Sequence, residues 1–375
     1  MVTFFGKSSL FDIWGDFIVY RNLVPADQRL PAIGDLRQHL SLQSPNLPRK
    51  TDSDYAQVVA EQLRQARRLE LPGATLQRLV FIGDTRLLDA TAFQNLCAAG
   101  GWQGWAFIGR DEMGAERSDG VEDGVYASNR WSALPDFIAF LGKQSFGLDE
   151  QTVLVIDMDK TSIGARGRND KVVDEARLEG VRLTVAELLG KEFNEDAFRA
   201  VYHELNRPVY HAFTADNQDY LAYICLMLGT SLFQFPVLVQ DIQNGKMHNF
   251  FEFIQQVERR RAEMPSAGLI EIHDQVWRLV QQGDPTPFKA FRYNEYLATA
   301  ARFGVPPGEA LETALFQRIM ITEEVRQIAG DMRRRGVLVF GLSDKPDEAS
   351  FPSSEQARKG MQPLHRLETL CVGEA

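Results

Sequence analysis

Four short apolar runs, separated by segments with helical periodicity, dominate the pattern of hydrophobic and polar positions along the chain. The runs are rich in branched residues and end at turn residues, and they lie at 76–84, 104–109, 152–157 and 336–343. Residues 51–69, before the first run, and residues 90–101, between the first two runs, carry apolar positions at helical spacing. Buried parallel strands have continuous apolar sequences, and strands that alternate with helices form parallel sheets. The pattern therefore predicts an α/β fold with a parallel sheet.

The pattern changes between about residue 165 and residue 335, where strand-like runs almost disappear and helix signals follow one another. Thr184 and Glu187 have the spacing of a capping box, which predicts a helix start. Thr322, followed by two glutamates, predicts another. We therefore expect a large, mostly α-helical domain over residues 164–330.

This helical segment interrupts the strand pattern rather than following it. One predicted strand ends at Asp157 before the segment, and another ends at Ser343 after it. A segment of this size is in the range of a separate domain. The predicted organisation is thus an α/β core formed by residues 1–163 and 331–375, with the helical domain at 164–330 inserted into it.

Composition adds limits on partners and location. The chain has 375 residues, of which 44% are hydrophobic and 25% charged, and a formal net charge of -10. Because a nucleic-acid backbone requires clustered Lys and Arg, we expect no nucleic-acid partner. The three cysteines, Cys97, Cys225 and Cys371, lie far apart and lack metal-binding spacing, which fits a reducing compartment. With no convincing signal peptide, we expect a cytoplasmic protein.

The most apolar segment, residues 221–239, approaches the length of a membrane span. Gln234 and Pro236 interrupt it, and polar residues precede it. Since proline ends or bends a helix, we predict a buried helix followed by a turn, and no membrane partner.

Two carboxylates and a hydroxyl follow the third apolar run. Asp157 ends the run, and Asp159 and Thr161 come at alternate positions after it. Alternate residues of an extended segment project to the same side, so Asp157 and Asp159 can face one group while Met158 and Lys160 point away. One carboxylate can then attack while the other moves protons, which suits metal-assisted phosphoryl chemistry. The alternative is an ordinary loop after a buried strand.

A second acidic pair follows the first apolar run. Asp84 comes directly after Gly83, and Asp89 stands five residues beyond Asp84. The carboxyl ends of neighbouring parallel strands meet in one crevice, so Asp84 can join Asp157 around a single cation. Mg²⁺ is the natural ion, because carboxylate, carbonyl and water oxygens satisfy it. The alternative is an ordinary turn between a strand and a helix.

A serine and two lysines complete the set of candidates. Ser343 closes the fourth apolar run and could donate a hydrogen bond to a phosphoryl oxygen, although serines commonly end strands. Lys50 stands at the start of a predicted helix, and Lys345 lies two residues after Ser343. For both lysines, a role as a surface cation stays open.

These segments resemble the motifs of the haloacid dehalogenase-like (HAD) hydrolase superfamily. The apolar strand followed by DMDKT at 157–161 is similar to its first motif, and GDTRLLD at 83–89 is similar to its fourth. The strand that ends at Ser343 resembles the second motif, and Lys50 resembles the lysine of the third, with Lys345 as a competitor. In the family the first motif comes first, whereas here the lysine and the acidic pair precede it. The resemblance therefore implies a circularly permuted chain.

The resemblance implies a Rossmann-like HAD core with a helical cap domain, and it implies roles for individual residues. Asp157 would be the nucleophile and Asp159 the acid and base, while Ser343 and a lysine would bind the phosphoryl group. Mg²⁺ would be bound by Asp157, the Asp159 carbonyl and Asp84, with Asp89 as a ligand or a support.

Two arginines follow at the point where HAD proteins have a mobile loop before the cap. Arg166 and Arg168 alternate with glycines within residues 164–170. Together with Thr161 they are candidate substrate contacts, and a hinge or a simple linker is the alternative for this segment.

The sequence therefore predicts a Mg²⁺-dependent phosphatase that acts on a small phosphorylated metabolite through an aspartyl-phosphate. Haloacid dehalogenation is less expected, because the resemblance links that chemistry to sites without the second aspartate, here Asp159. Two alternatives stay open: a catalytically silent HAD-like binding or scaffold protein, and a phosphotransferase or phosphomutase with the same intermediate. Neither the substrate nor the oligomeric state follows from the sequence.

Overall fold

A computed structural model describes residues 2–42, 46–306 and 308–374. The chain divides into two compact units, Met1–Glu175 with Thr299–Ala375, and Ala176–Ala298. The second unit is shorter than the helical domain predicted at 164–330, because the residues at both ends of that predicted range cluster with the first unit.

The first unit contains the strands. In chain order they are β1 Val2–Ser8, β2 Ile18–Val19, β3 Arg78–Gly83, β4 Gln103–Gly109, β5 Asp119–Glu122, β6 Val125–Ser128, β7 Thr152–Asp157, β8 Ile321–Thr322, β9 Leu338–Leu342 and β10 Thr369–Glu374. Seven of them form a sheet in the order β2-β9-β7-β3-β4-β6-β5, and β1, β10 and β8 form a smaller one. In the larger sheet, all neighbours are parallel except β5 and β6. The predicted α/β fold with a parallel sheet is confirmed.

Helices connect these strands and build the second unit. In chain order they are α1 Leu10–Trp14, α2 Ile33–Leu36, α3 Ser53–Glu70, α4 Thr91–Gly100, α5 Leu134–Lys143, α6 Asp170–Leu189, α7 Glu195–Leu205, α8 His211–Thr214, α9 Gln218–Gly229, α10 Phe235–Gln243, α11 Phe250–Arg259, α12 Ala267–Gln281, α13 Lys289–Ala300, α14 Leu311–Gln317, α15 Glu323–Arg334 and α16 Ser354–Arg358. The helix predicted to start at Thr322 is α15. Thr184, in contrast, lies inside α6, where its hydroxyl donates to the Gly180 carbonyl at 2.8 Å, so the predicted capping box is wrong.

The chain leaves β3 and β7, which are neighbours, in opposite directions across the sheet. β3 leads through α4 to β4 on one side, whereas β7 leads to β9 on the other. Strands whose connections diverge leave a crevice at their carboxyl ends, where open α/β sheets bind ligands. Ile82 pairs with Ile156, and Asp157 pairs with Leu342, so the residues that follow β3, β7 and β9 emerge at the same edge.

Burial on both faces explains the continuous apolar sequences of the central strands. Every residue of β7 and β9 is buried. Phe81, Val155 and Phe340 belong to a core shared with Leu63 of α3 and Phe93 of α4. Each such side chain contributes roughly 2 kcal/mol on burial, so the core fixes the register that brings the strand ends together.

The second unit has a core of its own, centred on α9. All residues from Leu221 to Leu228 are buried, and they pack with aromatic residues such as Phe253. α9 ends at Gly229 and α10 begins at Phe235, which confirms the predicted buried helix and turn. Among the described residues, no helix combines the length and apolar character that crossing a membrane requires.

Candidate functional site

Three buried aspartates meet where β3 and β7 end. Asp157 is the last residue of β7, Asp84 follows β3, and Asp89 lies in a single π-helical turn, Arg86–Ala90, that precedes α4. One carboxylate oxygen of each lies within 4.8 Å of the others. The acidic cluster, as we call Asp84, Asp89 and Asp157, thus brings together the two predicted acidic motifs.

Lys50 is the counterion of this cluster. Its Nζ donates to Asp157 Oδ1 at 2.6 Å and to Asp89 Oδ1 at 2.7 Å, and Asp344 Oδ2 lies 3.6 Å away. The lysine precedes α3, and its ammonium lies 5.8 Å from the centre of the Phe81 ring. Only 4% of the side chain is exposed, so the interpretation of Lys50 as a surface cation is wrong.

Asp89 is held by the backbone of the turn that contains it. Its Oδ2 accepts hydrogen bonds from the Asp84 and Thr85 amides, both at 2.9 Å, and from the Thr85 hydroxyl at 3.0 Å. Gly83 permits this geometry, because a Cβ there would lie 2.6 Å from the Asp89 Cβ. With both oxygens occupied, Asp89 is suited to hold Lys50 and the Asp84 amide in position.

The segment after Asp157 turns sharply. Lys160 has a φ of +62°, and its Nζ pairs with Asp174 at 2.8 Å, whereas Met158 is fully buried. These two side chains therefore point away from the cluster. The hydroxyl of Thr161 is buried and has no hydrogen-bond partner among the described residues.

Asp159 lies near the second lysine, on the β9 side. Its Oδ2 is 3.8 Å from Lys345 Nζ, and the Lys345 amide donates to Ser343 Oγ at 3.1 Å. Lys345 is 4% exposed, so the surface interpretation is wrong for this lysine as well. The structure thus brings Lys50 to Asp157 and Lys345 to Asp159.

The two arginines of the 164–170 segment have different surroundings. Arg166 Nε donates to Asp84 Oδ2, and its side chain is 33% exposed. Arg168 is 1% exposed and donates to Asp111 and Glu324, with distances of 2.8 and 2.9 Å. These contacts favour a structural role for Arg168.

Asp111 was missed by the sequence analysis. It follows β4 as Asp84 follows β3, so the rule that collects residues at strand ends could have found it. Its amide donates to the Arg166 carbonyl at 2.8 Å, and its carboxylate accepts from Arg168 at 2.8 Å. A Cβ at Gly167 would lie 1.9 Å from the Asp111 carbonyl oxygen. Asp111 thereby fixes the backbone that carries Arg166 to Asp84.

Burial and mutual repulsion shift the pKa values of the cluster. Burial, followed by repulsion from Asp89, raises the pKa of Asp84 to about 7 although Arg166 opposes the shift. Burial also raises the pKa of Asp157 well above its usual range, against the attraction of Lys50. For Asp89, burial is outweighed by Lys50 and the backbone amides, which lower its pKa.

The ion pairs at this edge leave an excess of negative charge. They join five carboxylates to three cationic side chains: Asp84, Asp89, Asp157, Asp159 and Asp344 to Lys50, Arg166 and Lys345. Repulsion between these carboxylates adds to burial in raising the pKa values of Asp84 and Asp157. A divalent cation would remove this excess, and carboxylate oxygens are suitable ligands for Mg²⁺ and for other hard cations. The acidic cluster therefore fits a divalent metal ion.

Comparison of the sequence with models of protein families and with curated proteins finds no match.

Proposed function

We propose that this protein is a Mg²⁺-dependent, HAD-like phosphatase of small phosphorylated metabolites. The observation that supports the proposal best is the buried contact of Lys50 with Asp157 and Asp89, at the sheet edge where the connections that follow β3 and β7 diverge. A cap role for the helical unit and a circularly permuted HAD order belong to the same proposal. So does a cytoplasmic location, which the free cysteines Cys97, Cys225 and Cys371 support.

Asp157 is the proposed nucleophile. Its carboxylate forms a bond to phosphorus while the bond from phosphorus to the ester oxygen breaks. Asp159 gives its proton to that oxygen, and then takes a proton from the water that attacks the aspartyl-phosphate. The second step releases phosphate and restores Asp157.

The lysines stabilise charge in this scheme. Lys50 lowers the cost of ionising the buried Asp157, since the ammonium lies 2.6 Å from Asp157 Oδ1. Ser343, Lys345 and Thr161 are proposed to donate to the phosphoryl oxygens. Arg168 is not part of this set, because its guanidinium is engaged by Asp111 and Glu324.

Mg²⁺, when bound, supplies positive charge that balances the transferring phosphoryl group. Asp84, Asp157 and the Asp159 carbonyl are the proposed ligands, with Asp89 as a support or a further ligand.

Hydrolysis of an aryl phosphate, with and without Mg²⁺, tests the proposal. The wild type is compared with Asp157→Asn and Asp159→Asn. We expect activity that requires Mg²⁺ and both aspartates. A folded, Mg²⁺-loaded wild type that is inactive on aryl phosphates and on a metabolite panel would favour the silent binding or scaffold protein instead.

We expect Mg²⁺ to stabilise the protein, and to do so more strongly at pH 8 than at pH 5. Asp84 has its pKa raised to about 7, compared with about 4 in an unfolded chain. Between these values the folded state binds more protons, so without Mg²⁺ the stability falls as the pH rises. At 100 times its Kd, Mg²⁺ would add about 2.7 kcal/mol.

Thermal unfolding at both pH values, with Mg²⁺ or a chelator, measures this effect. Asp84→Asn is the matched control, since it removes a ligand and should abolish most of the shift. Equal stabilisation of Asp84→Asn and the wild type would contradict the metal assignment.

We expect Arg166→Gln to tighten Mg²⁺ binding by about 3- to 10-fold. The guanidinium neutralises Asp84, and its side chain is 33% exposed, so its effect on a nearby cation is partly screened. Calorimetric titration with Mg²⁺ measures the change. Arg29→Gln, which removes an exposed arginine paired with Asp27, is the control and should leave the Mg²⁺ affinity unchanged. Weaker binding by Arg166→Gln would show that Arg166 supports the metal site.

A further inference from the structure

A cavity of about 410 Å³ opens beside the acidic cluster, on the side of β4 and β6. Asp84 belongs to its lining, and a carboxylate oxygen of Asp84 lies within 4.8 Å of one from Asp157. A group bound at Asp157 would therefore lie close to the Asp84 side of this cavity. The volume is within the range of small-molecule sites.

Three small or apolar residues in register line the cavity along the sheet. Ala127 of β6 pairs with Ile108 of β4 on one side and with Gly120 of β5 on the other. Paired residues of neighbouring strands project to the same face of a sheet. Together they form a narrow floor, and none of the described residues that line the cavity is aromatic. A nucleoside base would find no ring on which to stack.

The remaining lining is polar, and its charged side chains form ion pairs. Arg110 pairs with Glu112, and Arg86 pairs with Glu122 at 3.1 Å. Asp119 is held by Arg117 at 2.6 Å. A substrate with a second anionic group would need a surplus of cations, which these pairs do not provide.

The lining offers both donors and acceptors of hydrogen bonds. The side chains of Arg110 and Glu112 are 60% and 41% exposed, so a ligand can replace their weak mutual contact. At the end of β6, the Ser128 hydroxyl donates to Asp119 at 2.7 Å and the Asn129 amide donates to the Glu116 carbonyl at 2.8 Å, so these two side chains shape the cavity wall. A hydroxyl group both donates and accepts, and it is the group that such a mixed lining, which has no surplus of cations, satisfies best.

We infer that this cavity is the leaving-group subsite, and that it selects phosphate monoesters of hydroxyl-rich molecules, that is, sugars or polyols. The inference rests on the proposed phosphatase function. It assigns specificity to the floor formed by Ile108, Ala127 and Gly120, and to the exposed polar residues Arg110 and Glu112 beside it.

Gly120→Leu tests the cavity directly. A Cβ at Gly120 meets no atom within 4 Å, and the backbone there needs no positive φ, so the leucine is tolerated by β5 and occupies the floor of the cavity. Val121→Leu is the matched control, because the neighbouring residue of a strand projects to the opposite face and Val121 is 50% exposed.

For Gly120→Leu we expect kcat/KM for D-glucose 6-phosphate to fall at least about 10-fold, whereas kcat/KM for acetyl phosphate, which has a small leaving group, changes less than about 2-fold. Val121→Leu should resemble the wild type with both substrates. Equal losses with the two substrates, or no loss with either, would overturn the inference.

A comparison of substrates on the wild type tests the chemical class. We expect D-glucose 6-phosphate to exceed both D-fructose 1,6-bisphosphate and AMP in kcat/KM by at least about 10-fold. A preference for the bisphosphate or for AMP would overturn the assignment to neutral, hydroxyl-rich leaving groups.

Failure of the proposed function has a different signature. In that case wild type hydrolyses neither acetyl phosphate nor the sugar phosphate, and calorimetric binding of D-glucose 6-phosphate to wild type and to Gly120→Leu becomes the readout. Binding that is at least about 10-fold weaker in the variant supports the cavity as a sugar phosphate site. Equal binding, or none, overturns it.

Discussion

Asp157→Asn is expected to lower phosphate ester hydrolysis by at least about a thousandfold, to the background of the assay. An amide cannot form the aspartyl-phosphate, and the asparagine has nearly the same shape as the aspartate. The loss should appear in kcat, because phosphoryl transfer itself is blocked. A variant with full activity would end the assignment of Asp157 as the nucleophile.

The same substitution should leave the fold intact. Burial and the neighbouring carboxylates raise the pKa of Asp157, so its ionised form is unfavourable without a metal ion. Lys50 keeps its contact with Asp89 at 2.7 Å in the variant. Urea unfolding at pH 8 without Mg²⁺ should therefore give a free energy of unfolding at least equal to that of the wild type. Asp174→Asn, which removes an exposed partner of Lys160, is the control and should retain full activity.

Lys50→Met is expected to lower the free energy of unfolding by about 3–5 kcal/mol, the largest stability effect of any single change at the site. Methionine can fill the space of the lysine stem, but it leaves Asp89 and Asp157 buried without their shared cation. Removing one partner of a buried ion pair costs more than the pair contributes, because the remaining charge is not solvated. Chemical unfolding at pH 8 without Mg²⁺ measures the loss.

Two further variants separate this effect from a simple loss of packing. Lys160→Met removes a lysine whose partner, Asp174, is half exposed, and it should cost less than about 1 kcal/mol. The double variant Lys50→Met with Asp157→Asn should recover part of the loss, since it also removes one of the uncompensated carboxylates. A double variant that is less stable than Lys50→Met would contradict the electrostatic explanation.

The centre of the large sheet could be predicted because burial dominates its sequence. Each of the four apolar runs became a strand with ends within two residues of the prediction; for example, the run at 336–343 contains Leu338–Leu342. Exposed strands and very short strands gave no such signal. β5, DGVE at 119–122, is exposed at every position, and β2 and β8 have only two residues each.

The convergence of the acidic residues could be predicted from the positions at which the strands end. Asp84 and Asp157 follow neighbouring strands, and such residues share one edge of a parallel sheet. The partners of Lys50 could not be predicted in this way. The position of Lys50 depends on how the turn before α3 packs against Phe81, 31 residues later in the chain. Arg166 and Arg168 are two residues apart and have similar local sequences, yet only the tertiary contacts of Asp84 and Asp111 distinguish them.

The most direct test of the central claim is to identify the phosphorylated residue. Asp159→Asn, which lacks the proposed base for the second step, is mixed with an aryl phosphate and Mg²⁺, quenched in acid, digested and analysed by mass spectrometry. We predict a phosphoryl adduct on Asp157, which hydroxylamine removes and which Asp157→Asn lacks. An enzyme that turns over the aryl phosphate but carries the adduct elsewhere, or forms none under any quench, would contradict the account.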